Sequence, residues 1–590
     1  MFATPIRPTP AGLQPPVAAY LALPTCAPKT LLGQPALLQL ELADGSHRPW
    51  HGHITQASLL VSDGGPARYR LTIEPWLSFL GQPQDAWVFQ NQTVMQIVEG
   101  VFADYSGQGK LAPAWRWDVA DELQYAQRSL CVQHQETDLA FIQRLLREEG
   151  LFYWWEHQTQ EGDTLGQHTL VIADHNAAFR PNPQPRVRYT QAGLALKTDS
   201  LTRWRNTAAV HTARIQQASQ DYRSNGATPA LREQSQTGQN LPAGLGGLSL
   251  TDIPGLYAYE DSAQGQRLAL RQMQALDAQR HQARASGTLR QAAPGSTLTL
   301  LDHPVHDGTN AARDEHVLLA VHHRARNNLR ADHQAQVLSL LGAIAKDQIK
   351  GDVQAQPDNP NDTDEPVYSS TLKLQPAAAP VRMVAGTASQ PSLPDVRLHP
   401  RPTIHGVQTA IVVGGAEPIH TDRDHRIKVQ FHWQRGANSS HRLSPQQGEN
   451  APASPASGSW VRVSQAWAGA NWGANFIPRV GQEVLIGFIQ GDIDRPVVMG
   501  TVYNGQGQAA AQSNQQNAGA AKASGDAPAW FPGTQPSGKH PGHQHPQVLA
   551  GHKSQELATS SQGSGGYNQL VFDDSPGQGR IEVSSSSAQT

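Results

Sequence analysis

Residues 459–504 read SWVRVSQAWAGANWGANFIPRVGQEVLIGFIQGDIDRPVVMGTVYN, where strand, turn and loop signals follow one another without interruption. Val461 and Val463 alternate with polar residues, which is the two-residue period of a half-buried strand. A Gly/Asn-rich loop follows, and residues 483–488 and 497–503 then read as two further strands on either side of a Gly-Asp turn. Short strands joined by such turns, without helical periodicity, predict a small closed β-barrel of the oligonucleotide/oligosaccharide-binding (OB) type.

The overall composition points to several polar, turn-rich domains. The chain has 590 residues, 16% charged and 38% apolar, with 52 glycines and 42 prolines, which favours strands and turns over long helices. Its formal net charge of −3 lacks the basic excess of a protein that wraps nucleic acid, so we expect no nucleic-acid partner. With only Cys26 and Cys131, a disulfide framework and a four-cysteine zinc site are both excluded.

No targeting or membrane-spanning segment is evident. The N-terminal MFATPIRPTPAGLQPP has no basic start followed by an apolar run, as a secretory signal would. No run of about 18 apolar residues is present either. We therefore expect folding in the cytoplasm, and any export must use a route without a cleaved signal.

The first half reads as strands with two capped helices. Residues 36–42, 50–60 and 69–76 predict an antiparallel meander. Thr93 is a good N-cap for a helix that continues towards Gly107. Thr137 caps a second helix, which Gly150 ends and an aromatic strand follows. Adjacent Glu148 and Glu149 point in different directions and predict a solvated helix end rather than a glycosidase site.

The middle of the chain gives weaker signals. Strands are predicted within 165–204, a Gln/Ser/Gly-rich loop over 216–250, a polar helix over 265–284, and strands over 296–301 and 316–326. Residues 345–380 are rich in Asp, Pro and Ala and predict a linker. The barrel then begins near residue 385, with first strands over 408–413 and 427–433. In the second of these strands, one face is predicted to carry Ile427, Val429, Phe431 and Trp433, and the opposite face Lys428, Gln430 and His432.

Several of these segments resemble one family, the VgrG spike proteins of bacterial type VI secretion systems and their relatives in contractile phage tails. In the barrel the resemblance lies in PRVGQEV (478–484) and GDIDRPVVMGTVYN (491–504). The strongest match is CVQHQETDLAFIQRLLREEGLFYWWEH (131–157), which resembles the signature region of the family's N-terminal domain. HTLVIADHNAAF (168–179), HVLLAVHHRARNN (316–328) and GGYNQLVFDDSPGQGRIEVSS (565–585) also resemble the family.

The resemblance implies a mainly β fold with α+β inserts. Residues 1–380 would be a phage-hub-like domain, a double β-barrel with helical inserts, and residues 385–505 the OB-fold barrel. Residues 506–564 read as a flexible linker by composition. Residues 565–590 read as a hairpin that would start a triple-stranded β-helix needle, truncated at Thr590.

By the same resemblance, the chain is a homotrimeric structural spike and not an enzyme. It would cap the Hcp tube hexamer, carry effector or adaptor proteins, bind a PAAR-repeat tip protein if the full needle is present, and contact the target-cell membrane transiently. It would assemble in the bacterial cytoplasm and be secreted or injected without a signal peptide. The alternatives are a spike-borne toxin enzyme, such as a cell-wall hydrolase, and a glycan- or surface-binding adhesin.

No catalytic, cofactor or metal site emerges from the motifs. His540, His543, His545 and His552 lie in a Pro/Gly-rich segment, for which the composition favours a surface linker over the alternative of a divalent-ion site. Asp422, Asp424 and His425 lie in a predicted turn, and Cys131 reads as a buried structural cysteine. The chain has no H-E-x-x-H, G-x-S-x-G or Walker motif.

The candidate functional residues are structural and lie in the barrel. Trp433, Trp467 and Trp472 form either an exposed ligand platform or, the reading we favour, surface packed between subunits. Gly481 is expected at positive φ in the turn that begins at Pro478. The full set of interface candidates is Trp433, Trp467, Trp472, Pro478, Gly481, Asp494, Arg495, Pro496 and Tyr503.

Overall fold

The structure is a computed structural model. It describes residues 17–24, 27–62, 66–159, 166–190, 198–220 without 209 and 211, 231–236, 247–325 without 257 and 260, 335, 339, 367–383, 402–434, 455, 458–503 without 470 and 471, 549–554, and 566–586 without 575, 576 and 578.

The helices are α1 (Val94–Asp104), α2 (Asp138–Glu148), α3 (Ser262–Arg280) and α4 (Ala311–Asp314). The strands of the first part are β1 (Val17–Pro24), β2 (Pro35–Glu41), β3 (His47–Ser62), β4 (Pro66–Glu74), β5 (Gln84–Phe89), β6 (Trp115–Asp118), β7 (Cys131–Thr137), β8 (Phe152–Gln158), β9 (Gln167–Ala173), β10 (Arg180–Tyr189), β11 (Ser200–Ala208), β12 (Arg214–Gln220), β13 (Leu231–Gln236), β14 (Ser249–Leu256), β15 (His281–Gly287), β16 (Ser296–Leu301), β17 (Glu315–Ala325) and β18 (Tyr368–Pro376). Those of the second part are β19 (Gln408–Val413), β20 (Ile427–Phe431), β21 (Ser459–Val463), β22 (Ala468–Gly469), β23 (Trp472–Gly473), β24 (Glu483–Phe488), β25 (Pro496–Val502), β26 (Leu549–Lys553), β27 (Asn568–Asp573) and β28 (Arg580–Ser585).

The chain forms two compact units that interleave in sequence. The first unit contains Met1–Asp85, Asn91–Ser129 and Gln135–Pro402, and the second contains Ala86–Gln90, Leu130–His134 and Thr403–Thr590. The second unit therefore includes two short segments from the first half of the chain, which no local pattern in the sequence predicts.

A closed barrel forms one core of the first unit, with strand order β10-β11-β15-β18-β17-β16. Its interior is filled mainly by aliphatic side chains, among them Val187, Leu298, Leu372 and Leu374. Leu372 and Leu374 come from β18, which lies inside the stretch predicted as a linker, so that prediction is wrong for 368–376. The overall Asp/Pro/Ala composition concealed a local alternation of apolar residues, STLKL.

The N-terminal meander is confirmed as an antiparallel sheet with order β1-β4-β3-β2. Tyr69, Leu71 and Ile73 of β4 form its core together with Ile54 of β3. Of the two barrels predicted for this half, the described strands close one, and the meander is an open sheet. The mainly β character with helical inserts is confirmed.

Both predicted helix caps are confirmed. The Thr93 side chain accepts a hydrogen bond from the backbone of Gln96, and the Gln96 side chain accepts one from Thr93, which completes a capping box for α1. The Thr137 side chain accepts from Ala140 at the start of α2. Gly150 follows α2 at a φ of 71°, the left-handed conformation that stops a helix.

The prediction of a solvated end for α2 is wrong. Glu148 and Glu149 are each only 8% exposed. Arg128 donates to both carboxylates, at 2.8 and 2.9 Å. Arg271 of α3 also approaches Glu149, with 3.7 Å between Nη1 and Oε2. The two side chains point in different directions, as expected, but each meets a guanidinium that takes the place of water.

The predicted loop over 216–250 contains strands. β12, β13 and β14 form a sheet with order β13-β12-β14, and α3 packs against β12 and β13. Gln217 and Ser219 of β12 are each 3% exposed and lie on the same face of the strand as the fully buried Ile215. Polar residues here occupy the buried face of a strand, which hides the two-residue period that reveals most strands.

The predicted OB-type barrel is confirmed in the second unit, with strand order β19-β20-β21-β25-β24. Ile427, Val429 and Phe431 alternate into its core, as predicted for this strand. Gln430, predicted to face the other way, is nevertheless only 8% exposed, and its amide donates to the backbone oxygen of Gln434 at 3.2 Å.

The predicted C-terminal hairpin is also confirmed: β27 pairs antiparallel with β28. A further strand, β26, pairs with β27 and lies within the predicted linker, so Leu549–Lys553 is not linker. Across the described parts of the chain, no helix is long and apolar enough to cross a membrane.

Candidate functional site: the barrel turns, the aromatic hairpin and the C-terminal sheet

The GDIDRP segment forms a tight, hydrogen-bonded turn between β24 and β25. Gln490 and Gly491 adopt left-handed φ values of 56° and 75°. The Asp492 carboxylate accepts from the backbone of Asp494 at 2.9 Å, and Arg495 donates its backbone N–H to the carbonyl of Asp492 at 3.0 Å. A short acidic side chain at Asp492 thus fixes the local backbone, as in an Asx turn.

Asp494 holds the turn to one of the inserted segments of the second unit. Its side chain is only 5% exposed, and Oδ1 accepts the backbone N–H of Val132 at 2.7 Å. Next to this bond, Ile493 packs with Val88 and Val132 in a small apolar cluster. Asp494, which belongs to the segment that resembles the family, therefore helps to hold the second unit together. Arg495 donates to the backbone oxygen of Asp494 at 3.0 Å, and Pro496 begins β25.

The Pro478–Glu483 turn has the predicted backbone. Gly481 adopts a φ of 88°, which confirms the expectation of a left-handed conformation. Gln482 donates its backbone N–H to the carbonyl of Arg479 at 3.0 Å, so glycine is the third residue of a four-residue turn, where a type II turn requires positive φ. Pro478 is buried beside it.

The three predicted tryptophans do not form a single platform. Trp433 is half-buried and stacks on Phe431 at 5.0 Å, and its indole N–H donates to Gln408 at 3.0 Å. Trp467 and Trp472 are 67% and 56% exposed and meet edge to face at 5.4 Å. The structure therefore brings two of the three together and places the third in the barrel core.

The exposed pair lies on a loop over 465–476, which we call the aromatic hairpin. β22 and β23 pair within it. At its base the Gln465 amide donates to the carbonyl of Phe476 and accepts from the backbone N–H of Phe476, both at 3.0 Å. This two-way bond fixes the base of the loop, although Phe476 is itself 62% exposed. Tyr503, the last candidate, is 58% exposed just after β25.

The C-terminal sheet of β26, β27 and β28 has two unlike faces. Phe572 lies opposite Ile581, and Leu570 lies opposite Val583, so these four side chains share one face. Ile581 is 71% exposed and Val583 58% exposed, which leaves that face uncovered. On the other face Gln569 donates to Glu582 at 2.9 Å and to Ser584 at 3.0 Å. This second face is polar except for Val571 and is largely buried, since Val571 is 3% exposed and Ser584 is 8% exposed, whereas the apolar face is open.

A cluster of buried histidines in the first unit is the main electrostatic feature that sequence reasoning missed. His168 is 3% exposed, and its Nε2 accepts the backbone N–H of Trp76 at 3.0 Å. Its Nδ1 lies 2.7 Å from Nδ1 of His51. Burial, followed by the neighbouring histidines, lowers the pKa of His168 to about 2. Burial also lowers the pKa of His157 to about 3, with Arg48 and His51 adding to the effect.

The described residues that were considered for a catalytic or metal-binding role have contacts typical of structural residues. Cys131 is fully buried, as predicted, and Cys26 lies outside the described residues. Asp422 accepts the backbone N–H groups of Asp424 and Arg426, which confirms the predicted turn. His552 stacks on Phe476 at 5.8 Å, while His540, His543 and His545 lie outside the described residues. Among the residues that the structure does describe, no group of three or more His, Cys, Asp or Glu is arranged to hold a metal ion.

Comparison with known families agrees with this architecture. The phage tail baseplate hub (GPD) family matches residues 17–329, and the type VI secretion system/phage-baseplate injector OB domain matches residues 446–503. The E. coli c3393 protein, described as a type VI secretion component similar to T4 tail proteins gp27 and gp5, has a TM-score of 0.50 at 17% identity over 83% of this chain and 94% of its own. A half-lidded Francisella PdpA-VgrG complex has a TM-score of 0.51 at 7% identity, over 98% of this chain and 82% of that one. These structural likenesses show the fold alone.

Sequence relatives are more specific. Type VI secretion system spike protein VgrG1b of Pseudomonas aeruginosa is 32% identical over 484 residues, which are 81% of this chain and 54% of the relative. VgrG1a of the same organism is 31% identical over 481 residues, 81% of this chain and 63% of the relative. The chain thus spans between half and two thirds of the length of these curated relatives. It belongs to the VgrG family of type VI secretion system spike proteins, within the wider group of phage tail baseplate hub proteins.

Proposed function

We propose that this chain is the homotrimeric spike of a type VI secretion system, which caps the inner tube and punctures the envelope of a target cell to deliver effectors. The observation that carries the proposal is the C-terminal sheet, with an uncovered apolar face and an internally satisfied polar face. A sheet of this kind is stable in water when something covers its apolar side. Two further copies of the same chain would do so, and in a trimer the outer strands β26 and β28 would also pair with strands of the neighbouring copies.

The proposed mechanism is mechanical. Three copies of the hub-like first half, predicted as 1–380, would each contribute two similar parts. Together these six parts would form a platform of pseudo-sixfold symmetry, which matches a hexameric Hcp tube. The barrel, predicted as 385–505, would form a neck, and 565–590 would begin a needle. A PAAR-repeat protein would bind the tip where a full needle is present, and effectors or adaptors would travel with it. Such a spike would assemble in the bacterial cytoplasm, be secreted or injected into a target cell and contact the target membrane transiently.

The test combines solution mass with export. One chain has a mass of 63.8 kDa. Light scattering of the purified full chain should give three times that mass. Produced in a bacterium that lacks its own spike proteins, it should restore release of the tube protein into the medium. A chain that stays monomeric at every concentration and restores no release would refute the proposal.

The exposed Trp467–Trp472 pair favours a second function, that of a glycan-binding adhesin, because exposed aromatic rings also stack on sugars. A glycan array distinguishes the two. Binding by the wild type that is lost in Trp467→Ala, together with a monomeric mass, would favour the adhesin. Cell-wall hydrolysis or toxicity of the purified chain would instead favour the spike-borne enzyme.

A further inference from the structure

We propose that residues 351–366 of this chain bind across a row of three cations on the outer wall of the barrel in the first unit. The row, which we call the cation row, consists of Arg205 on β11, Arg284 on β15 and Lys373 on β18. The occupant is an acidic segment of the same chain, and its contact would mask the row from other acidic surfaces. The inference does not depend on the proposed trimer.

The strands of this barrel are strongly basic. They contain eight basic residues and a single acidic one, Glu315, although the whole chain has a formal net charge of −3. The eight are Arg180, Arg186, Arg188, Arg203, Arg205, Arg284, Arg324 and Lys373. A surface with such an excess of one charge attracts groups of the opposite charge.

The register of the strands places three of these cations side by side. Arg205 lies directly opposite Arg284, and Arg284 lies directly opposite Lys373. Their chain neighbours Ala285 and Leu374 belong to the barrel core, so the cations point away from it. Like charges in directly opposed positions destabilise a sheet, and a bound counter-charge removes that cost.

The described residues provide no counter-charge for the row. Arg188, on the neighbouring strand β10, forms an ion pair with Asp302 at 2.6 Å. By contrast, no ion pair joins the cation row to a carboxylate of the described residues. Arg205 and Arg284 are exposed, and Lys373 is half-buried. Burial, and then Arg284, lower the pKa of Lys373, which is the effect of a like charge nearby.

The acidic segment has the matching charge and a suitable position. Residues 351–366 read GDVQAQPDNPNDTDEP, with five carboxylates and no Lys, Arg or His, and they lie outside the described residues. The connection that contains them joins Ala325 to Tyr368, which are paired at one end of β17 and β18. Lys373 lies about 17 Å along β18 from that end, and a segment of this length spans up to about 50 Å when extended, so it reaches the row.

Covalent attachment favours this segment over a separate acidic protein. A short tether holds a ligand at an effective concentration in the millimolar range. Asp362 and Asp364 would lie about 7 Å apart in an extended chain, and the outer cations of the row about 10 Å apart, which is two strand spacings. Several charge pairs would thus form together, whereas a single exposed pair contributes little.

Zero-length crosslinking tests the contact. A water-soluble carbodiimide joins an amine to a carboxylate only where the two touch, and mass spectrometry of the peptides identifies the pair. Arg205→Lys in the full chain places an amine on β11, two strands from β18, where proximity along the sequence cannot produce a link to the segment. We expect a link from that position to a carboxylate within 351–366. Its yield should fall by about fivefold or more in 0.5 M NaCl, where the screening length is about 4 Å.

Arg186→Lys is the matched control. Arg186 is an exposed cation of the same barrel, and it too has no ion pair with a described residue. It lies on β10 opposite Thr299, outside the row, and should give no link to 351–366. Equal yields from the two positions, or no link from Arg205→Lys, would overturn the proposal.

Co-expression of two differently tagged chains shows which chain supplies the segment. One chain carries Arg205→Lys together with amide replacements of all five carboxylates in 351–366, and the other is the wild type. We expect no link between the two tags, because the segment binds the row of its own chain. A link between them would show that the segment binds a neighbouring copy, and would overturn the assignment.

Discussion

Acidification should destabilise the first unit through His168, and replacing this histidine should remove a defined part of the effect. The Trp76 N–H donates to Nε2, so the neutral ring carries its proton on Nδ1 and donates to His51. Adding a proton to Nε2 would place two donors face to face in a site that is only 3% exposed. The native state therefore holds His168 neutral, and the Nε2 proton is gained only on unfolding.

The magnitude follows from linkage. The folded pKa of His168 is lowered to about 2, below the unfolded value of about 6.5, so the unfolded state binds the extra proton first as the pH falls. Its contribution to the free energy of unfolding is constant above pH 6.5 and is lost progressively below that value. At about 1.4 kcal/mol per pH unit, acidification to pH 5 costs about 2 kcal/mol through this one ring.

The assay is urea unfolding of the full chain at pH 7.5 and at pH 5.0, followed by tryptophan fluorescence. Hydrogen exchange of peptides over 152–173 assigns the transition to the first unit. His168→Gln retains an acceptor for Trp76 but cannot titrate, so its loss of stability between the two pH values should be smaller than that of the wild type by about 2 kcal/mol. His47→Gln, at an exposed position at the start of β3, should behave as the wild type does. An equal acid sensitivity in His168→Gln and the wild type would refute the reasoning.

Three further substitutions test the turns and the buried charges. Gly481→Val places a β-branched residue at a φ of 88°, so it should destabilise the second unit by about 2 kcal/mol and lower the trimer yield. Gly500→Val is the control, because a side chain there meets open space and φ is not positive; equal shifts in melting temperature for the two variants would contradict this reasoning. Arg128→Ala removes the shared partner of two buried carboxylates and should lower the free energy of unfolding in urea by about 3 kcal/mol. Arg188→Ala, at an exposed ion pair, should lower it by less than about 1 kcal/mol, and similar losses in the two variants would count against a buried network. Asp494→Ala should cost about 2 kcal/mol and Asp494→Asn clearly less, because asparagine keeps the acceptor; if the two unfold alike, the hydrogen bond contributes little.

The local sequence pattern predicted those strands, helix starts and turns that are determined by residues close together in the chain. The bounds of 408–413 and 483–488 agree with β19 and β24, since apolar alternation and flanking turn residues lie within a few positions of each other. Thr93 and Thr137 marked the helix starts because capping is a contact between near neighbours. The left-handed φ of Gly481 was likewise a local requirement of its turn.

Long-range partners explain what the sequence did not reveal. Glu149 is buried because Arg271, more than 100 residues later, reaches it, and a helical wheel carries no information about that contact. β18 was concealed because its neighbours β15 and β17, rather than its own composition, supply its pairing. For the candidate site, the sequence was enough to single out the three tryptophans of the barrel as candidates. The separation of Trp433 from the other two depended on the packing of the finished barrel.

The interleaving of the two units has a mechanical consequence. The chain passes between them after residues 85, 90, 129, 134 and 402, and at two of these points it does so within a strand, β5 or β7. A pulling force applied to one unit would reach the other through five covalent connections in parallel instead of a single tether. For the same reason, a fragment cut at residue 402 would lack two backbone segments of the second unit. For the spike proposed above, a load passed between the two units would therefore be shared among five backbone crossings.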